Sequence, residues 1–236
     1  MKTVFALSAL LFFLGTTYAF AGQFGPAEAQ VSPGQFSLGA GAFRYSDKWD
    51  FEKFTTDANQ TQFFVQADVG LYPSTEAYLR IGGADAGVDD ALGGSNFRGG
   101  YAPYGTLGLK GLFHRGKYLD VGGFVEGSYF GSYSDSTPSA KLNLDKAFAV
   151  NAGLTFEKEI EGACLYAGPF FHYRKGDFSY ADRTDATNNF SGSAEEDNKI
   201  GGFLGIRWIA MQDIVVELET QLRNNLSFGG GISFIY

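Results

Sequence analysis

The chain has 236 residues, of which 44% are hydrophobic and 17% aromatic, and it carries 26 acidic side chains against 18 basic ones. The resulting net charge of −8 argues against nucleic acid or an anionic lipid surface as partner, because both repel an acidic protein. The single cysteine, Cys164, cannot form a disulfide within the chain, which excludes a disulfide-stabilised scaffold. The length suits one barrel or sandwich domain.

The first 21 residues have the pattern of a secretory signal peptide. Lys2 gives a basic start, residues 3–14 form an apolar run, and Ala19-Phe20-Ala21 supplies a small–x–small ending. The apolar run is shorter than the roughly 20 residues that a transmembrane helix needs. We therefore expect residues 1–21 to be removed, which leaves residues 22–236 as one domain with 17 basic side chains, 26 acidic ones and a net charge of −9. A buried N-terminal helix is the alternative interpretation of this segment.

After residue 21, apolar residues alternate with polar or small ones instead of forming long runs. Period-two alternation is typical of strands, because successive side chains point to opposite faces. The last stretch, L-S-F-G-G-G-I-S-F-I-Y, places large apolar residues on one face and mostly small residues on the other. The predicted strands cover residues 34–44, 61–72, 75–83, 99–113, 117–131, 144–158, 163–176, 198–209, 213–223 and 226–236. Pro169 cannot donate a backbone hydrogen bond, so it predicts a bulge or kink in the seventh strand.

The connections between these strands alternate in length. The short ones cover residues 73–74, 114–116, 159–162 and 210–212, and the long ones cover residues 45–60, 84–98, 132–143 and 177–197. An up-and-down membrane barrel has short turns on one side and longer loops on the other. A sandwich with Greek-key connections gives no such alternation, although a soluble secreted β-sandwich remains the alternative fold.

An alternating final strand that ends on an aromatic residue, here Tyr236, resembles the C-terminal signal of bacterial outer-membrane β-barrels. Together with the N-terminal segment, residues 22–236 resemble small barrels of the OmpA/OmpX/OmpW-like kind. The resemblance implies an all-β, transmembrane, up-and-down antiparallel β-barrel in the bacterial outer membrane, with ten strands, or eight as the alternative count. It also implies a monomeric or weakly oligomeric barrel that contacts outer-membrane lipid and lipopolysaccharide, and whose last strand is recognised by the barrel-assembly machinery.

The inward face of the predicted barrel carries charges of both signs. The charged residues on this face are Asp68, Arg80, Lys110, Glu126, Glu157, Arg174, Lys199, Arg207, Glu217 and Glu219. Opposite charges inside a narrow lumen should pair, because an unpaired buried charge is very costly. The sequence therefore predicts a lumen filled by a salt-bridge network, in a barrel with a structural or surface-interaction role. A narrow pore for small solutes is the alternative.

Enzymatic residues are sparse. His114 lies in a predicted turn, whereas His172 lies near Arg174, Asp177 and Ser179, so a rim-located, lipid-modifying hydrolase is a further alternative. We expect no catalytic residue, no cofactor and no metal. The acids of the predicted long loops are interpreted as solvated charge; they are Asp85, Asp89, Asp90, Asp182, Asp185, Glu195, Glu196 and Asp197.

Overall fold

The computed structural model describes residues 24–51, 55–91 and 96–236, so the predicted signal peptide lies outside the described residues. The strands are β1 (Phe36–Asp50), β2 (Thr55–Tyr72), β3 (Thr75–Val88), β4 (Phe97–His114), β5 (Asp120–Phe130), β6 (Tyr133–Ser136), β7 (Ala140–Ile160), β8 (Ala163–Asp182), β9 (Phe190–Glu196), β10 (Ile200–Met211), β11 (Ile214–Leu222) and β12 (Leu226–Ile235). One short 3₁₀ helix covers Ala186–Asn188. Over the described ranges, no helix is both long and apolar enough to cross a membrane.

Ten of these strands form a closed antiparallel ring. The order is β1-β2-β3-β4-β5-β7-β8-β10-β11-β12, and β12 pairs back onto β1 from Ser37↔Ile235 to Arg44↔Phe228. Closure matters because an unpaired backbone group in hydrocarbon costs several kcal/mol. The predicted ten-stranded, up-and-down barrel is confirmed.

The remaining strands, β6 and β9, extend the wall at one end of the ring. β6 pairs with the start of β7, while β9 pairs with the end of β8 and reaches β1 at Trp49↔Glu196. We call this end the outer collar and define it as residues 44–50, 55–61, 133–146 and 175–196. Much of the predicted loops 45–60, 132–143 and 177–197 is therefore strand, and the prediction of loops there was wrong.

The collar is folded because its strands also have an apolar inner face. Trp49, Leu142, Leu144 and Phe178 alternate with polar residues and are at most 5% exposed. They belong to an apolar cluster that fills the outer half of the barrel interior, here called the outer core. Its further members are Phe51, Ala58, Phe64, Ala84, Val88, Ala91, Phe97, Ala102, Tyr104, Phe130, Tyr133, Ala140, Ala147, Ala149 and Ala194.

The bulge predicted at Pro169 is absent. The register of β8 with β10 runs unshifted from Ile200↔Phe171 to Trp208↔Ala163, and Pro169 itself stands opposite Gly202. The register of β8 with β7 is also the same on both sides of Pro169, although no pairs form at Gly168 and Pro169 themselves. The irregularity between β7 and β8 lies instead between Asp145 and Phe148.

Inward glycines make room for large lumen side chains, and Gly108 gives a testable case. A Cβ at Gly108 would lie 2.1 Å from Cζ of Tyr78, which is 1% exposed. Gly108→Ala is therefore expected to lower the free energy of unfolding by about 1–3 kcal/mol through overpacking. Urea unfolding in detergent micelles measures this. The control is Gly127→Ala, whose Cβ meets nothing within 4 Å; equal losses in both variants would contradict the prediction.

Candidate functional site

The outside of the ring is apolar over a continuous band. Val65, Ile81 and Leu107 expose 62%, 58% and 66% of their surface. Aromatic pairs lie at its edges: Phe36 stacks on Tyr236 with ring centroids 5.2 Å apart at one edge, and at the other the Phe148 and Tyr173 rings are 5.9 Å apart. Such a band with aromatic edges is how a barrel meets lipid. The outer wall thus spans the membrane, and the lumen is the candidate site.

Nine of the ten predicted network residues face the lumen. They are Asp68, Arg80, Lys110, Glu126, Glu157, Arg174, Arg207, Glu217 and Glu219. Arg80 lies 3.4 Å from Glu126, which also accepts hydrogen bonds from Tyr78 (2.6 Å) and Asn151 (2.7 Å). Lys110 pairs with Glu76 at 3.1 Å. These buried charges therefore have close partners of opposite sign or hydrogen-bond donors.

Lys199 does not lie in the lumen, contrary to the sequence prediction. Its side chain is 45% exposed, with Nζ 4.0 Å from a Glu195 carboxylate oxygen and 5.2 Å from the centre of the Tyr173 ring. The reason is local: residues 197–199 form a break between β9 and β10. The alternation of β10 begins only at Ile200, so it cannot be extended back to Lys199.

Residues 24–33 are here called the N-terminal segment. Residues 24–31 lie inside the periplasmic half of the lumen, where periplasmic denotes the end with the short turns, and Ser32 and Pro33 are exposed. The amides of Phe24 and Gly25 donate to Glu219 at 3.2 and 2.9 Å. The amide of Ala27 donates to Glu157, and the amide of Gln30 donates to Glu76 at 2.5 Å. Three wall carboxylates thus bind the main chain of this segment.

The ring of Phe24 anchors the same segment. Phe24 is fully buried among Phe124, Tyr166, Phe170 and Phe203, here called the inner aromatic cluster. Its ring is stacked on Phe124 with centroids 4.3 Å apart and meets Phe170 edge-on at 4.9 Å. Burying a phenylalanine side chain contributes roughly 1.5–3 kcal/mol.

Glu28 of the N-terminal segment lies over Cys164. One carboxylate oxygen of Glu28, one of Glu157 and the sulfur of Cys164 lie within 4.8 Å of one another. The carboxylate of Glu157 already accepts hydrogen bonds from two amides of the segment and from Thr155, and Arg207 donates to the Glu28 carbonyl at 2.7 Å. These groups therefore serve as contacts between the segment and the wall.

A second polar cluster joins the collar to the lumen. Arg223 bridges Asp47 at 3.0 Å and Glu196 at 2.9 Å, with all three side chains at most 2% exposed. Glu196 also contacts His172 and accepts the hydroxyl of Tyr45. Burial, the largest single effect, raises the pKa of Glu196, but His172, Arg223 and Arg174 together outweigh it and lower that pKa to about 2. Glu196 is thus a buried anion, whereas the sequence predicted a solvated loop acid.

The groups considered for a rim hydrolase are not brought together. His172 is 4% exposed and faces the lumen, where Nδ1 contacts Asn151. Asp177 is on the opposite face of β8, where its side chain is 56% exposed and pairs with Lys146 at 3.5 Å. Ser179 shares that outer face and accepts a hydrogen bond from Asn143. A Ser/His/acid arrangement is therefore not formed by these residues.

The exposed loop acids organise their own loops. Asp182 accepts hydrogen bonds from the amide and hydroxyl of Thr184, and Asp185 does the same with Thr187. The Thr184 hydroxyl and amide lower the pKa of Asp182 to about 2. Asp89 pairs with Arg98 at 3.3 Å, with both side chains at least 40% exposed. Solvated charge describes these three acids correctly.

Three features of the lumen were not predicted from the sequence. They are the N-terminal segment, the pairing of Glu76 with Lys110, and the bridge that Arg223 forms between Asp47 and Glu196. Residues 24–33 lack alternation and contain Pro26 and Pro33, so a strand search passes over them. Charge gave no signal either, because the predicted inward face carries five acids and five bases. The contacts that hold the segment are made by its main-chain amides, which donate to wall carboxylates.

No protein-family model matches the chain, and no curated protein matches it. Solved structures do resemble it. The translocator domain of the autotransporter NalP from Neisseria meningitidis aligns with a TM-score of 0.55 and 11% identity over 88% of this chain and 89% of that one. The outer-membrane protease OmpT from Escherichia coli aligns with a TM-score of 0.50 and 10% identity over 89% of this chain and 100% of that one. At such identities the likeness shows the fold alone: the chain has the fold of bacterial outer-membrane β-barrels, with no subfamily assigned.

Proposed function

We propose that this protein is a closed outer-membrane barrel that does not conduct solutes and acts at the cell surface through its outer collar. One observation carries the proposal: the interior is filled in both halves. The N-terminal segment and the inner aromatic cluster occupy the periplasmic half, and the outer core occupies the other half.

The size of the remaining space argues against a pore. The cavity beside the N-terminal segment, lined by Gln30, Gly39, Arg80, Lys110 and Glu217, measures about 40 Å³. A space of that size admits a few water molecules. The N-terminal segment and the outer core fill the lumen on either side of it, so a solute has no continuous path and the narrow-pore alternative has no geometric support here.

The surface of the collar supports a role in interaction. Its outward side chains are polar: Ser134 donates to Asn143 at 2.8 Å, and Asn143 donates to Ser179 at 3.1 Å. This chain of hydrogen bonds crosses from β6 over β7 to β8. With the outer core packed beneath it, the collar is a rigid and wettable surface suited to a polar partner outside the cell.

Export and assembly follow from the two ends of the chain. In this proposal residues 1–21 direct export and are cleaved, and the barrel-assembly machinery reads the final strand. That strand completes the wall: the amide of Tyr236 donates to the Phe36 carbonyl at 2.9 Å. The folded protein is a monomer that contacts outer-membrane lipid and lipopolysaccharide through its apolar band.

Planar-bilayer recordings test the proposal. Folded protein inserted in a lipid bilayer is expected to give no stable conductance steps, because the lumen has no through path. A conducting porin in the same bilayers shows that insertion is detected, and heat-modifiable gel mobility shows that the test protein is folded. Reproducible steps of uniform size would overturn the proposal and favour the narrow pore.

A further inference from the structure

We propose that the periplasmic half of the lumen is a peptide-binding site, that it accepts a segment in which an aromatic residue is followed by glycine, and that residues 24–33 are its resident, exchangeable ligand. The inference does not rest on the role of the collar. It follows from how the N-terminal segment is held, where it is hinged and what it covers.

The N-terminal segment is bound by side chains of the barrel wall and not by backbone pairing with a neighbouring strand. Main-chain amides of Phe24, Gly25, Ala27 and Gln30 donate to carboxylates that project from the barrel wall. Within residues 24–33, backbone pairing to the barrel is limited to one isolated bridge, Pro33↔Gly70. Carboxylates that bind main-chain amides recognise the course of the backbone whatever its side chains are, and such charge-assisted bonds are roughly twice as strong as neutral ones.

Two features of the site select what binds. The inner aromatic cluster forms a socket for the ring of Phe24, with centroid distances of 4.3 Å to Phe124 and 5.5 Å to Phe203. The next position favours glycine, because the φ of Gly25 is +71°, a backbone conformation that is strained for other residues. The site therefore selects an aromatic residue followed by glycine.

A hinge separates the segment from the barrel. Gly34 has a φ of +84°, and a Cβ built there meets nothing within 4 Å. β1 begins two residues later at Phe36, and before it the Gly34 amide donates to the Gly70 carbonyl of β2 at 3.1 Å. Rotation at Gly34 therefore withdraws residues 24–33 with the loss of this bond and of the isolated Pro33↔Gly70 bridge, and it leaves the pairings between the ring strands intact.

Cys164 is a built-in reporter of occupancy. It is the chain's only cysteine, it is 8% exposed, and its thiol lies against Glu157 close to Glu28 of the segment. When the segment is in place, the thiol is covered from the periplasmic side. When the segment leaves, a water-soluble maleimide entering from that side reaches it.

The first experiment uses the full chain, folded in micelles. Phe24→Ala is expected to raise the rate of maleimide labelling at Cys164 by about tenfold or more, because the ring's burial is the main anchor. The matched control is Phe36→Ala, a lipid-facing phenylalanine that is 48% exposed, which should leave the rate unchanged. Unchanged labelling in a folded Phe24→Ala protein would overturn the proposal.

The second experiment tests exchange. A protease site is inserted between Pro33 and Gly34, the protein is folded, and it is then cut. A synthetic peptide with the sequence of residues 24–33 and a fluorophore at its C-terminus is expected to bind saturably and to restore the protection of Cys164. The same peptide with alanine for Phe24 should bind about tenfold more weakly or worse. A cut segment that never exchanges, or equal binding of both peptides, contradicts the assignment.

Discussion

Replacing Arg223 with alanine is expected to lower the free energy of unfolding by about 3–5 kcal/mol, the usual effect of removing one member of a buried ion-pair cluster. Arg223 bridges Asp47 of β1 and Glu196 of β9, and no member of this trio is more than 2% exposed. Without the guanidinium, two buried carboxylates face each other with less positive charge between them. Urea unfolding of the protein refolded in lipid vesicles, followed by tryptophan fluorescence and gel mobility, measures the loss.

Arg98→Ala is the matched control for Arg223→Ala. Arg98 also pairs with an aspartate, Asp89 in the connection between β3 and β4, at 3.3 Å, but the two side chains are 55% and 40% exposed. Solvent screens such a pair, so its removal should cost about 0–1 kcal/mol. If the two variants lose the same stability, burial is not what makes the Arg223 cluster important.

The Arg223 cluster also accounts for the shape of the collar. β9 pairs with β8 at six positions, but with β1 only at Trp49↔Glu196 and Asp50↔Glu195 among the described residues. The side chain of Glu196 turns inward from this contact to meet Arg223 and His172. The long connection between β8 and β10 is thereby fixed to β1 and to the turn between β11 and β12, where Arg223 lies.

The ring strands could be predicted because, in a membrane barrel, the alternation of apolar and polar residues along each strand is clear. Lipid on one side and a narrow interior on the other force large apolar and polar residues to alternate, as Leu79, Arg80 and Ile81 do: Arg80 is 4% exposed, whereas its neighbours are 46% and 58% exposed. The predicted facing of Glu217 and Glu219 into the lumen follows from the same rule. The rule holds wherever a strand is continuous and fails at a break, which is why it misplaced Lys199.

The collar was missed although its residues alternate too. Ala140, Leu142 and Leu144 are each at most 3% exposed and are separated by Lys141 and Asn143. Above the membrane, the apolar face turns inward and the polar face outward, so the pattern is inverted relative to the lipid-facing band. A search for strands with apolar outward residues therefore assigns these segments, whose outward residues are polar, to loops.

The N-terminal segment was beyond a pattern-based prediction for a different reason. Its bonds to Glu76, Glu157 and Glu219 come from main-chain amides, which every residue except proline carries. Sequence periodicity cannot report such contacts. Only Phe24 and Gly25 leave a specific trace, and their meaning depends on a socket assembled from three strands, β5, β8 and β10.

Leu107→Arg is expected to destabilise the folded barrel by about 2–4 kcal/mol in a lipid bilayer, the cost of arginine at the bilayer midplane on a barrel surface. Leu107 lies at the middle of the apolar outer face of β4 and is 66% exposed. Its partners across the sheet, Leu79 and Gly127, offer no anion to the new charge. The measurement is reversible urea unfolding in vesicles of uniform thickness.

Gly100→Arg, seven residues outward on the same strand, separates a membrane effect from a general effect of arginine. A Cβ at Gly100 meets nothing within 4 Å, the residue is exposed, and Arg98 is already accommodated nearby. At this height the substitution should cost about 0–1 kcal/mol, because the guanidinium reaches the headgroups and water. Repeating both measurements in detergent should shrink the Leu107→Arg penalty, since micelles deform around a charge more easily than a bilayer does. Equal penalties for both variants would mean that the band around Leu107 does not lie in hydrocarbon, and the transmembrane assignment of the barrel would fail with it.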